Sequence, residues 1–178
     1  AMGWTTTYRP KGWTDRAWFQ ERVCGPGNRI IECATVRGVF YAAVESDQRP
    51  GEVWALVCLT QRSPKSDYNY GWKDMDETMH PYYYAAPAKV LNALTPTQHE
   101  QANLWRGRCW SRLARRLSLP KVGETIRLET AMTFGGGQSS RLLTKVTLPH
   151  RRDVYRTEHG QYVRFTNLLN YEFEKVAA

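Results

Sequence analysis

Two runs early in the chain are apolar almost without a break. Val39-Phe40-Tyr41-Ala42-Ala43-Val44 and Val53-Trp54-Ala55-Leu56-Val57-Cys58-Leu59 lack the in-out alternation of a half-buried strand. They predict strands covered on both faces, or covered on one with the second partly shielded. A third β-rich run, residues 30–36, joins the first through Arg37-Gly38, and a turn over 46–51 leads into 52–60. Connections this short favour an antiparallel meander. Ahead of it, residues 14–23 read as a short helix: Thr14 caps it, Asp15 suits its N-terminus, and Trp18, Phe19 and Val23 form a stripe. Gly25-Pro26-Gly27-Asn28 ends it as a turn.

Residues 61–87 break the periodicity, with a short helical turn expected over 74–79 and a helix over 87–94. Next comes Thr95-Pro96-Thr97-Gln98: a capping threonine, a proline at the first helical position and a glutamine three residues after the cap. That helix is expected to run to about residue 117, with Trp105, Cys109, Leu113 and Leu117, joined by Ala102 and Trp110, packed inward. Beyond Leu119-Pro120 the pattern turns to short strands over 124–133, 141–148, 153–157, 161–165 and 169–176, a spacing that suggests a small closed barrel or a bent sheet. The expected fold is α+β: an antiparallel β-meander packed by a long capped helix over residues 2–117, then a small β-barrel-like subdomain over 118–178.

Composition bounds the function. Of 178 residues, 42% are hydrophobic and 12% aromatic, enough to close a core and too apolar for a disordered tail. No apolar stretch approaches the roughly 20 residues of a membrane span. No basic segment followed by an apolar one marks a secretory signal. Ala1 before Met2 reads as an expression remnant, and the myristoylation-like start Met2-Gly3-Trp4-Thr5-Thr6-Thr7 is discounted because tryptophan follows the glycine. Cys24, Cys33, Cys58 and Cys109 are spaced too widely and unequally for a zinc ribbon or disulfide scaffold, so a reducing, cytoplasmic setting is expected.

Charge changes the picture more. The chain carries 25 basic and 17 acidic residues. Up to position 89 the signs nearly balance, at 11 basic and 10 acidic; from position 90 there are 14 basic and 7 acidic. A one-sided excess points to a positive face and an anionic partner. The candidate nucleic-acid contacts are Arg108, Arg112, Arg115 and Arg116 on the helix, with Arg141, Lys145, Arg151, Arg152, Arg156 and Arg164 in the tail. Tyr155, Tyr162 and Phe165 lie among these bases, and small β-rich platforms with basic and aromatic surfaces recur in nucleic-acid binding.

Other chemistry is thinner. Segment 67–84 interleaves Tyr68, Tyr70, Trp72, Tyr82, Tyr83 and Tyr84 with carboxylates, which suggests rings that stack bases or dock a partner, or a connection that buries its own rings; the carboxylates argue against a phosphate-tracking groove. Asp76 and His80 would share a face if this stretch were helical, with Asp74 and Glu77 nearby, as a two- or three-ligand metal site requires. Cys24 or Cys109 could pair with a histidine as a nucleophile, but no local signature supports it. Gly135-Gly136-Gly137 lacks the lysine-serine ending of a phosphate-binding loop. Neither a cofactor nor a metal is expected.

Gly3-Trp4-Thr5, the run Gly38-Val39-Phe40-Tyr41-Ala42-Ala43-Val44 and above all Asp67-Tyr68-Asn69-Tyr70-Gly71-Trp72-Lys73-Asp74-Met75-Asp76-Glu77-Thr78-Met79 form a further pattern, with Pro81-Tyr82-Tyr83-Tyr84 and Leu94-Thr95-Pro96-Thr97 behind it. Over residues 2–116 the chain resembles a group of uncharacterised small accessory proteins carried by plasmids, integrative elements and phages. The resemblance brings no activity with it. It implies an accessory protein of mobile DNA in a bacterial cytoplasm. Together with the charge, this gives as the leading expectation a non-enzymatic protein that binds nucleic acid. One rival is an inhibitory module acting on a host defence or conjugation protein through the tyrosine-rich segment. Another is a metal-dependent hydrolase or transferase built on residues 74–80.

Overall fold

The computed structural model describes residues 3–62 and 68–177, which form two compact units divided between Leu113 and Ala114. The first contains a five-stranded antiparallel sheet in the order β1-β5-β4-β3-β2. Its strands are β1 (Thr5–Thr7), β2 (Asn28–Val36), β3 (Val39–Ser46), β4 (Arg49–Arg62) and β5 (Tyr70–Asp76). The meander expected from the two apolar runs is present, and those runs are its central strands.

Both faces of β3 and β4 are covered. Phe40, Ala42, Val44, Leu56 and Cys58 project to one side and pack with Trp18, Phe19 and Cys24. Those three residues come from α1 (Asp15–Phe19) and the π-helical turn Gln20–Cys24 that prolongs it. Thr14 caps α1, its hydroxyl accepting from the Ala17 amide at 3.2 Å. Phe19 stacks on Phe40 with centroids 4.4 Å apart, and Trp18 meets Tyr70 and Trp72 edge-on at 5.8 and 5.9 Å. Each such aromatic pair adds about 0.5–1.5 kcal/mol beyond burial. On the other face Val39, Tyr41, Ala43, Ala55 and Val57 pack with Val90 and Leu91 of α2 (Ala88–Asn92) and with Trp105 and Cys109 of α3 (Glu100–Leu117).

The outer edge of β2 is blunted by side chains. Arg16 donates to the Ile30 carbonyl at 2.8 Å, and Gln20 bonds both the Asn28 carbonyl and the Ile30 amide at 2.7 Å. Such satisfied edge groups do not template pairing with another chain.

Several expectations are corrected. Residues 74–76 belong to β5, not to a helical turn; Tyr70 and Trp72 alternate onto the Trp18 face, while Met75 points to the opposite side. Thr95 does not cap α3, which begins five residues later at Glu100. Its amide and hydroxyl instead clip the start of β4: the hydroxyl accepts from the Val53 amide at 2.9 Å, and both groups donate to the Val53 carbonyl. On α3, Trp110 and Leu117 are 43% and 84% exposed, so the inward stripe is Ala102, Trp105, Cys109 and part of Leu113.

The second unit is a five-stranded antiparallel sheet in the order β10-β6-β7-β8-β9. It comprises β6 (Thr125–Thr133), β7 (Ser139–Leu148), β8 (Arg151–Thr157), β9 (Tyr162–Arg164) and β10 (Phe173–Lys175). Its first four strands fall where the sequence places them, while the last, expected over 169–176, is confined to 173–175 behind a 3-10 turn over 168–170. The barrel-like closure is absent, since β9 and β10 are edges that do not pair with each other. Ile126, Leu128, Leu143, Tyr155, Val163, Phe165 and Leu168 form its core on one face.

Replacing Thr95 with Ala removes two bonds to β4 and leaves the part-buried Val53 amide without its acceptor. We expect a loss of about 1–3 kcal/mol in urea unfolding, with Thr95→Ser close to wild type. An unchanged midpoint for Thr95→Ala would show that the clip contributes nothing.

Candidate nucleic-acid interface

Strand alternation and register decide which bases of the second unit can meet a ligand together. In the β8–β9 hairpin Arg156 lies opposite Tyr162, Val154 opposite Arg164 and Tyr155 opposite Val163. Tyr155 and Val163 are core residues, so Arg156, Tyr162 and Arg164 share the outer face. The hairpin is closed by a tight turn in which the Gly160 amide donates to Thr157, with Gly160 at φ +82°. Tyr162 is 58% exposed. The two flanking arginines are exposed, although Val154 on the same face is buried. Arg151 and Arg152 are exposed at the start of β8.

Neutralisation sorts the remaining candidates. Lys145 lies opposite Tyr155 on the core side, its Nζ 3.0 Å from Asp153 and 4.5 Å from the Tyr155 ring centroid. It is therefore not part of the outer surface. Arg141 donates to the Glu129 carbonyl at 2.9 Å, and Arg115 donates to the Leu169 carbonyl. Arg108 lies over the Tyr84 ring and donates to its hydroxyl at 2.5 Å. By contrast, the exposed side chains of Arg112, Arg116, Arg151, Arg152, Arg156 and Arg164 make no hydrogen bond or ion pair among the described residues. Arg127, also on the outer face, is paired with Glu174 at 3.3 Å. The uncompensated charge of the sheet thus sits at the β8–β9 side.

The tyrosine-rich segment divides between core and surface. Tyr70 and Trp72 are 3% and 8% exposed and belong to the core, which removes them as partner contacts. Tyr68 and Tyr84 are half-buried, Tyr83 is 39% exposed and Tyr82 is 81% exposed. Asp67 lies outside the described residues, as do Pro64 and Met2. The helical spacing proposed for a metal site is not realised. Asp76 closes β5, where it accepts from the Thr78 amide at 2.7 Å, and His80 sits in a turn at φ +55°. No group of three or more His, Cys, Asp or Glu side chains gathers among the described residues.

Glu77, beside them, has a structural partner that sequence reading missed. Its carboxylate takes two 2.6 Å bonds from Nε and Nη2 of Arg106, whose Nη1 donates to the Thr95 carbonyl at 2.5 Å. The pair lines a polar cleft of about 850 Å³ within the first unit and ties the end of β5 to α3. The Glu77 and Arg106 side chains are 3% and 14% exposed. No short-range pattern announces this pair, since the partners are 29 positions apart.

The cysteines are not poised as nucleophiles. Burial pushes the Cys24 and Cys109 thiols up to about 11 and 12, and raises Cys58 and Cys33 as well. All four are free thiols.

Comparison with known proteins adds one match. Residues 96–168, from the segment before α3 to the turn after β9, match the model of a domain of unknown function, DUF6927. No curated protein and no solved structure matches the chain. No helix among the described residues is long and apolar enough to cross a membrane.

Breaking a buried ion pair by removing one partner costs about 3–5 kcal/mol. Glu77→Ala and Arg106→Ala are each expected to show losses of that order in chemical denaturation, and wild-type stability in either would contradict the tie. With thiol pKa values raised, labelling of Cys24, Cys58 and Cys109 in the native protein should be slow at pH 7 and accelerate as pH rises, because only the thiolate reacts. Rapid labelling of any of these three at neutral pH would show that its thiol is not shielded.

Proposed function

We propose that the protein binds nucleic acid non-enzymatically, mainly through the outer face of its C-terminal sheet. The observation that carries this reading is the strip Arg156–Tyr162–Arg164: two exposed, uncompensated guanidinium groups around one exposed ring. Arginine forks suit phosphate oxygens, and an exposed tyrosine offers a stacking surface for an unpaired base. Arg151 and Arg152 extend the charge along β8. Contacts of this kind neutralise phosphates without reading base edges, so affinity depends on salt and little on sequence. The setting proposed is a mobile genetic element in a bacterial cytoplasm, on the strength of the resemblance of the central block alone.

A second reading draws on a separate observation in the first unit. Tyr82, Met79 and Leu104, at 81%, 48% and 49% exposure, rim a small pocket and would suit a protein partner. A positively charged chain does not imitate DNA, so such a partner would be met through apolar contact.

Fluorescence anisotropy with mixed-sequence single- and double-stranded oligonucleotides at several salt concentrations tests the leading reading. Binding should be present at low salt. Arg156→Gln with Arg164→Gln should weaken it at least tenfold and flatten the log–log salt slope by about 1–2, since each phosphate contact contributes roughly 0.9. Thermal stability should barely change, because both residues are exposed and unpaired. Tyr162→Ala should weaken single-strand binding more than duplex binding. Absence of binding to any nucleic acid at low salt would overturn the proposal in favour of the protein-partner reading.

A further inference from the structure

A second cationic site lies in the first unit, where the segment after β1 passes the far ends of β4 and β5. It is a pocket of about 490 Å³, within the usual size of small-molecule sites. Its cations are Arg9, Lys11 and Arg62, its rings Tyr8, Trp13 and Tyr70, and no carboxylate among the described residues lines it.

The pocket is built on a fixed frame. Asn69 clamps residue 9 from both sides, its Oδ1 accepting from the Arg9 amide at 2.7 Å and its Nδ2 donating to the Arg9 carbonyl at 2.9 Å. The Arg9 guanidinium is buried, pairs with Asp15 at 2.5 Å, donates to the Trp13 carbonyl and lies 4.7 Å from the Tyr70 ring centroid. Asp15 balances the charge of Arg9. Lys11 and Arg62 have no such counterpart: both are exposed and make no hydrogen bond or ion pair among the described residues. Tyr8 is 63% exposed at the same rim. The Tyr70 ring forms the buried floor of the pocket beneath Arg9, and burial pushes its hydroxyl pKa up to about 12.

We infer that this pocket binds a single nucleotide, a planar base carrying a phosphate. Lys11 and Arg62 supply the anion contacts, and Tyr8 and Trp13 supply the faces on which the base rests. Neither half of the ligand alone accounts for the lining. An inorganic anion would leave the rings unused, and a neutral ring would leave two cations that have no partner among the described residues. The inference does not rest on the sheet surface of the C-terminal unit, because it uses none of those residues.

Isothermal titration of the full-length protein at low salt tests it with four probes: AMP, adenosine, inorganic phosphate and the dinucleotide ApA. AMP should bind saturably, with adenosine and phosphate each at least tenfold weaker. Lys11→Gln with Arg62→Gln, both at exposed positions, should lower AMP affinity at least tenfold without shifting the melting temperature. Tyr8→Ala should weaken AMP while leaving phosphate unchanged, and Arg156→Gln with Arg164→Gln should leave AMP binding intact. ApA at or below the affinity of AMP assigns the site to a free nucleotide; tighter ApA assigns it to a nucleotide within a strand, and either supports the inference. Absence of saturable AMP binding, equal affinity for AMP and phosphate, or survival of AMP binding in the Lys11/Arg62 variant would overturn it.

Discussion

The N-terminal unit is organised by one constraint: β3 and β4 are apolar on both faces. A strand of this kind leaves apolar surface in water if only one side is covered, at a cost of about 25 cal/mol for each Å² exposed. Two covers are therefore required, and the chain supplies them from opposite ends of the meander. The segment before β2 folds into α1 and its π-helical extension, delivering Trp18 and Phe19 to one face. The segment after β5 becomes α2 and α3, delivering Val90, Leu91 and Trp105 to the other. The Glu77–Arg106 pair then fixes α3 against the end of β5. Large aromatic side chains are used where the sheet must be closed, and these account for Tyr70 and Trp72 as structural groups.

How far the sequence discloses this depends on whether the signal is local. The meander was legible because an uninterrupted apolar run has few alternatives, and α1 was legible from its cap. β5 was not, since a strand near the sheet edge whose two rings are followed by Lys73, Asp74 and Asp76 shows no clean period. Thr95 carried a convincing capping pattern, yet its hydroxyl serves β4, 42 positions away. A threonine that caps a helix and one that clips a strand present the same text. In the tail, strand positions could be read from turn residues, but closure could not, because whether β9 meets β10 is decided by curvature and not by composition.

The same distinction governs the candidate interface. The excess of positive charge is a property of the sequence alone, whereas its availability is a property of pairing. Lys145 is withdrawn by register, which sets it against Tyr155 and beside Asp153. Arg115 and Arg141 are withdrawn by backbone carbonyls. Arg156 and Arg164 are left free by the hairpin that also brings Tyr162 between them. A two-residue period places all three on one face only when the turn at Gly160 fixes which residues lie opposite. The basic face proposed here is consequently smaller than the list of basic residues, and more specific in what it offers: forks for phosphate and a ring for a base.

The most direct measurement of this account is photo-crosslinking of the intact protein to bromodeoxyuridine-substituted single-stranded DNA, followed by tryptic mapping. If the outer face of the C-terminal sheet is the binding surface, the main nucleotide-bearing peptide will be residues 157–164, modified at Tyr162, and its yield will fall with rising salt. Crosslinks confined to the first unit, with the 157–164 peptide unmodified, would contradict it.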